Sequence, residues 1–196
     1  SIWVAPAAFL ISFGALMANG RAIGSGDTNA VERTATALAG QGTFVLPEDA
    51  AQDPFTRPTP GGRISIYPPL PALLAMPVFF LLSLAFDLNP AGQQIAGKLS
   101  AALVAAGAVA LLARSYASRS TPFRALVSAL LFGLGTSVYS TAQALWQHPT
   151  SLFFLIAALR GLERVEALPK AFRWRPGLIV ALGLSLSAAA RPATIP

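Results

Sequence analysis

Five stretches of this chain are apolar and nearly free of charge over about the length a bilayer demands, and that pattern limits what else it can fold into. A helix crossing a hydrocarbon core of about 30 Å needs roughly 20 mostly apolar residues. The stretches lie at about 2–19, 95–113, 125–145, 148–165 and 177–195. Charged residues make up 11% of the chain, against about 25% in a soluble domain, so too little polar surface is present to wrap a water-facing globule. The expected fold class is all-α, a polytopic membrane helical bundle. Ser1 already stands in an apolar run and Pro196 closes shortly behind another, so the chain reads as a piece of something longer.

The net charge is +6. In a soluble protein that excess would point to nucleic acid, but in membrane proteins basic residues gather in short cytoplasmic loops. The loop between residues 113 and 125 holds Arg114, Arg119 and Arg124 and no acid. The loop from Arg160 to Pro176 holds Arg160, Arg164, Lys170, Arg173 and Arg175 against Glu163 and Glu166. Both are expected inside. Residues 21–69 instead set Arg21, Arg33, Arg57 and Arg63 against Asp27, Glu32, Glu48, Asp49 and Asp53, a slight acidic excess that places this loop outside. A further apolar segment at 71–86 decides the topology. It is short and carries Pro71 and Pro77, and proline inside a helix removes a hydrogen bond and kinks the axis. If it spanned, the two basic loops would share a side with residues 21–69. The expectation is therefore a non-spanning, interfacial helix within an external loop at 20–94, with the N-terminus inside.

Within that loop, Asn29 followed by Glu32 has capping-box spacing and Gly40 suits a helix end, so a second interfacial helix is expected at about 29–39. Asp27 approaches its N-terminus, where it reads as a turn or cap residue on the helix dipole or as a functional carboxylate. Thr43 to Glu48 reads as extended. Residues 50–63, rich in Pro, Gly and Thr, read as a loop. Tyr67-Pro68-Pro69 then leads into the short apolar segment.

Two more polar features sit in apolar surroundings. In Trp146-Gln147-His148-Pro149, Pro149 suits a first helical turn and puts His148 at the cap. There it either meets an anion at the helix N-terminus or joins an interfacial aromatic belt with Trp146. Arg191 follows an apolar helix by too few residues to clear the membrane. An arginine in that position is by default functional, the alternative being a side chain that snorkels to the surface. The chain has no cysteine and one histidine, which excludes disulfides, thiolate chemistry and multi-histidine metal cages.

Taken in order, Ser25-Gly26-Asp27-Thr28 with Arg33, Tyr67-Pro68-Pro69, Gln143-Ala144-Leu145-Trp146-Gln147-His148-Pro149 and Ala190-Arg191-Pro192-Ala193-Thr194 resemble the N-terminal half of the GT-C membrane glycosyltransferases, the superfamily of bacterial aminoarabinose transferases and protein O-mannosyltransferases. The resemblance implies a sugar transferred, with inversion, from a polyprenyl-phosphate donor to a lipid, glycan or protein acceptor at the extracytoplasmic face of the bacterial cytoplasmic membrane. It implies Asp27 as catalytic base and Arg191, Arg33 and His148 as groups binding the donor phosphate. Arg33 lies farther from Asp27 than in the aminoarabinose transferases, and His148 stands where many relatives carry Asp. Glu32, Tyr67, Trp146 and Gln147 are candidate substrate-binding residues. No cofactor is expected, no motif supports a divalent metal, and no nucleic-acid partner is implied. The alternatives are a polytopic transporter or flippase for an anionic or lipid-linked substrate, and a non-catalytic assembly subunit.

Overall fold

A computed structural model of the chain describes residues 2–22, 24–46, 53–169 and 172–191. They form eight helices and one small hairpin: α1 (Val4–Ala18), α2 (Gly26–Gln41), β1 (Thr56–Thr59), β2 (Gly62–Ser65), α3 (Leu70–Ser83), α4 (Pro90–Tyr116), α5 (Pro122–Gly135), α6 (Ser137–Thr141), α7 (Gln147–Ala167) and α8 (Trp174–Ala190). Among the described residues α4 is long and apolar enough to cross a membrane, and α1, α3, α5 and α8 are shorter apolar helices.

Small side chains decide how the long helices pack. Val4 and Ala8 of α1, Val109 and Ala113 of α4, and Ala125 and Ala129 of α5 make one core cluster. Leu16 of α1 packs instead with Ala102 and Ala105 of α4 and with Val138 and Ala142. The start of α1 thus meets the end of α4 and the start of α5, so α4 runs antiparallel to the other two. Alanines at the contacts let helix backbones approach closely. α7 and α8 form the most extensive helix pair. A Cβ added to Gly183 of α8 would stand 2.8 Å from the Phe154 carbonyl oxygen and 2.9 Å from the Ala158 Cβ.

Across one end of this bundle lie α2 and α3, whose Val31, Ala35, Ala72, Ala75 and Phe79 pack with Ala96 and Leu145. Phe79 is fully buried although α3 carries Pro77 within it. At the opposite end Glu163 of α7 accepts from Ser115 Oγ at 3.0 Å and pairs with Arg160 at 3.0 Å and Arg119 at 3.4 Å. This ties the end of α4 to that of α7.

Several expected boundaries change. The helix expected at 125–145 breaks after Gly135. Thr136 is extended, its hydroxyl donates to the Phe132 carbonyl at 2.7 Å, and the same oxygen accepts from the Val138 N–H to start α6. Hydroxyl groups that satisfy the backbone locally compete with a continuous helix. The helix expected at 29–39 begins three residues earlier, because the capping box is closed by Ser25 and Thr28, with the Ser25 N–H donating to Thr28 Oγ1 at 3.2 Å. Asn29 and Glu32 do not form it. The helix ends at Gly42, whose φ of 65° is the left-handed conformation glycine tolerates best, rather than at Gly40.

The interfacial helix expected at 71–86 spans 70–83, and the helix expected at 95–113 starts at Pro90, where the Asn89 side chain accepts from the Gly92 N–H at 3.0 Å. α1 and α7 fall close to the stretches at 2–19 and 148–165. The last helix begins at Trp174 and ends at Ala190, and residues 192–196 of the stretch expected at 177–195 lie outside the described residues.

Most of what read as loop at 50–63 contains a hairpin instead. β1 and β2 pair antiparallel with Thr59 opposite Gly62. Arg63 holds the pair by donating from Nε to Thr56 Oγ1 at 2.9 Å and from Nη2 to the Thr56 carbonyl at 3.0 Å. Leu46 bridges to Arg63 in the expected extended stretch, of which Pro47 and Glu48 lie outside the described residues.

Candidate active site

Asp27 occupies the second position of α2, where a negative charge is favoured by the helix dipole. Its Oδ1 accepts from the Ser25 hydroxyl and, at 3.1 Å, from the Thr28 N–H. Two donors on one oxygen restrain the carboxyl. Phe55 closes over the helix start, its ring within 2.5 Å of where a Gly26 Cβ would stand. Tyr67 packs on Phe55 with ring centroids 5.9 Å apart. Burial and then the Asp27 and Asp53 carboxylates hold the Tyr67 hydroxyl above its ordinary pKa. A neighbouring negative charge disfavours the phenolate.

His148 and Arg191 arrive from α7 and α8. Trp146, with extended backbone, is the cap of α7, so His148 falls inside the first turn rather than at the cap. Pro149, in the same first turn, costs no intrahelical hydrogen bond there. Trp146 stands 6.1 Å from His148 ring to ring, and Gln147 opens the helix half-buried. Arg191 is the C-cap of α8. One turn inward from both, the Ser151 hydroxyl meets the Ser187 hydroxyl at 2.9 Å and the Ser187 carbonyl at 3.1 Å, which locks the register of the two antiparallel helices. The charges of Asp27 and Arg191 are both felt at the His148 imidazole. Groups from the start of α2, from α7 and from α8, far apart in sequence, are thus near enough to interact electrostatically.

Two cavities open beside it. One of about 660 Å³ has His148 and Arg191 at one edge and Phe132, Val138, Leu152 and Leu155 along its walls. The break at Thr136 shapes its side, since Thr136 and Ser137 line it. The other, about 580 Å³, lies under Tyr67, Pro68 and Ile66 and reaches Ala189. Glu32 and Arg33 sit elsewhere. They line a separate cleft between α2 and the start of α4, and Arg33 is not brought to the His148 and Arg191 edge. Glu32 is 2% exposed, and burial raises its pKa to about 8 against a smaller, opposing backbone hydrogen bond from Leu145. No group of three or more metal-ligating side chains occurs among the described residues.

A buried polar network escapes a reading by motifs. Lys98 Nζ donates to Asn19 Oδ1 at 2.5 Å, and Asn19 Nδ2 donates to Gln143 Oε1 at 2.6 Å and to the Tyr139 hydroxyl at 3.1 Å. Gln143 is completely buried and Lys98 is 5% exposed. The network ties the end of α1, from which the Asp27 loop departs, to α4 and to the segment leading to His148. A lysine inside an otherwise apolar helix is the signal that marks it, because such a charge is retained only with polar partners. Comparison with known protein families, with characterised proteins and with solved structures finds no match to this chain.

Proposed function

We propose that the protein is an integral membrane glycosyltransferase that moves a sugar from a polyprenyl-phosphate donor to an acceptor hydroxyl at the outer face of the bacterial cytoplasmic membrane. The observation that carries this reading is a cavity lined by both Arg191 and His148 and otherwise largely by apolar side chains, with Asp27 near enough for its charge to act on His148. A lipid phosphate has the same two-part character. Its phosphate suits Arg191 and His148, and its first isoprene units suit Phe132, Leu152 and Leu155.

In this reading the acceptor oxygen attacks the anomeric carbon while the bond from that carbon to the phosphate oxygen breaks. The departing electron pair stays on the phosphate, where Arg191 and His148 offset the growing charge. Asp27 takes the acceptor proton through Oδ2, the oxygen not occupied by Ser25 and Thr28. The configuration at the anomeric carbon inverts.

Membrane insertion is supported by the outward helix faces. Leu10, Leu131, Leu159, Leu182 and Leu184 are all exposed, and apolar surface on this scale is covered by lipid more readily than by water. α1, α4, α5, α7 and α8 would span, and α2 and α3 would lie at the outer interface. The arginines near Glu163 would face the cytoplasm. The test is transfer by the full chain carrying Asp27→Asn, with a radiolabelled polyprenyl-phosphate sugar as donor and membrane extract as acceptor source. Transfer is expected to fall by about 10²–10⁴-fold, the usual contribution of a general base, while the amount of inserted protein is unchanged. Near-normal transfer would remove Asp27 as the base, and no transfer by the unaltered chain would favour a transporter or flippase.

A further inference from the structure

The cleft between α2 and the start of α4 belongs to neither cavity of the proposed active site. It encloses about 380 Å³ and is lined by Asn29, Glu32, Thr36, Gln41, Gln93 and Gln94, with Arg33 beside them. Its size falls in the range of small-ligand sites. Its lining gathers four side-chain amides, those of Asn29, Gln41, Gln93 and Gln94. Each amide offers a donor and an acceptor in one plane, the pairing that two adjacent ring hydroxyls present in reverse. Glu32 is the lone carboxyl on this lining and lies next to a guanidinium, a set that suits hydroxyl groups and not a bare cation.

Glu32 joins the cleft lining to α4. It is 2% exposed, and its Oε1 has no hydrogen-bond partner. The carboxyl lies in the notch left by Gly97 of α4, where an added Cβ would be 2.5 Å from Oε1. This packing and the backbone hydrogen bond from Leu145 hold the carboxyl against α4. Gln93 is held ready on the same wall, its Nε2 donating to the Leu88 carbonyl at 2.9 Å. That bond restrains the amide and leaves Oε1 as its acceptor.

We propose that this cleft is a carbohydrate-binding site. Asn29 and Gln94 pair with adjacent hydroxyls of one pyranose ring. Gln93 accepts from a third hydroxyl. Asp27 and Glu32 stand on the same helix five positions apart, about 7.5 Å along its axis and on different faces.

Sugar binding here needs neither a lipid donor nor turnover, so it can be tested apart from the transferase reading. The full chain is embedded in polymer-bounded lipid discs free of sugar detergents. Saturation-transfer NMR is then recorded with methyl α-mannopyranoside and with maltotriose. Transfer to ring protons of at least one probe is expected, together with a dissociation constant weakened about tenfold in N29A/Q94A, the loss of two neutral hydrogen bonds. Both substitutions are on exposed side chains and leave the helices intact, and unchanged melting of the variant confirms that. Wild-type transfer persisting in N29A/Q94A, or no transfer to either probe, overturns the proposal. Transfer lost in His148→Ala but retained in N29A/Q94A also overturns it, and places the sugar at the active site instead.

Discussion

Replacing Glu32 by glutamine removes a titrating group while keeping its shape, and the effect on stability has a definite sign. In the unfolded chain this carboxyl ionises near 4.5, and in the fold it does so at about 8 because burial disfavours the charge. Between those values the folded state binds more protons than the unfolded one, so stability falls as pH rises. The stabilising contribution is complete below pH 4.5 and gone once the pH passes about 8. The shift corresponds to about 4–5 kcal/mol over that window, at about 1.4 kcal/mol per unit. Glutamine does not titrate, and every other group is common to both proteins, so the difference between them isolates Glu32.

Melting followed by intrinsic tryptophan fluorescence is measured for Glu32→Gln and the unaltered protein at pH 5 and pH 8.5. Relative to the unaltered protein, Glu32→Gln is expected to gain of order 10 °C between the two conditions, given about 2–4 °C per kcal/mol for a chain of this size. Parallel melting curves across that range would refute the reasoning, since they would mean that Glu32 is hydrated or ion-paired in the fold.

Arg191→Ala is expected to lower transfer by about 10²–10³-fold, as for loss of one transition-state donor, and Arg191→Lys to recover part of it. An equal loss in both would assign Arg191 a packing role. Gly183→Val forces side-chain atoms into the Phe154 carbonyl and Ala158 and should destabilise the α7–α8 pair by about 1–3 kcal/mol or more. A melting temperature at the wild-type value would show that the pair can separate freely. A cysteine placed at Ser118, in the arginine-rich loop, should resist an impermeant thiol reagent in intact cells, and prompt labelling would invert the proposed topology. Tyr67→Phe keeps the contact with Phe55 and removes the hydroxyl beside Asp27. Transfer is expected to fall less than for Asp27→Asn, and an equal fall would refute Asp27 as a base acting without the Tyr67 hydroxyl.

Helical content and the rough placement of the helices were legible in the sequence because they depend on runs of apolar side chains and on proline. The segment at 71–86 was recognised as a separate short helix for the same reason. The break in the stretch at 125–145 was not legible, since Gly135-Thr136-Ser137 is compatible with a helix in composition and interrupts it through hydroxyl bonds that either conformation could make. The start of α2 was misassigned because Ser25–Thr28 and Asn29–Glu32 both have the spacing of a cap, and only burial distinguishes them. Glu32 is drawn into the contact with Gly97 and is lost to the cap. The hairpin at 56–65 was hidden by Pro58 and the glycines, and it forms because Arg63 satisfies the Thr56 carbonyl and hydroxyl.

Local sequence determined which residues carry charge and which helices are apolar: Asp27 at the start of α2, His148 in the first turn of α7 and Arg191 at the end of α8 are features of short segments and of the helix ends they create. Tertiary structure alone decided that His148 and Arg191 line one cavity with the Asp27 charge acting on His148, and that Arg33, equally plausible by sequence, lines another cleft. A helix end is a local property, set by caps and turns within a few residues. Which ends become neighbours depends on the register between helices, and that is fixed by contacts such as Ser151 with Ser187 and Lys98 with Asn19, whose partners are 36 and 79 positions apart.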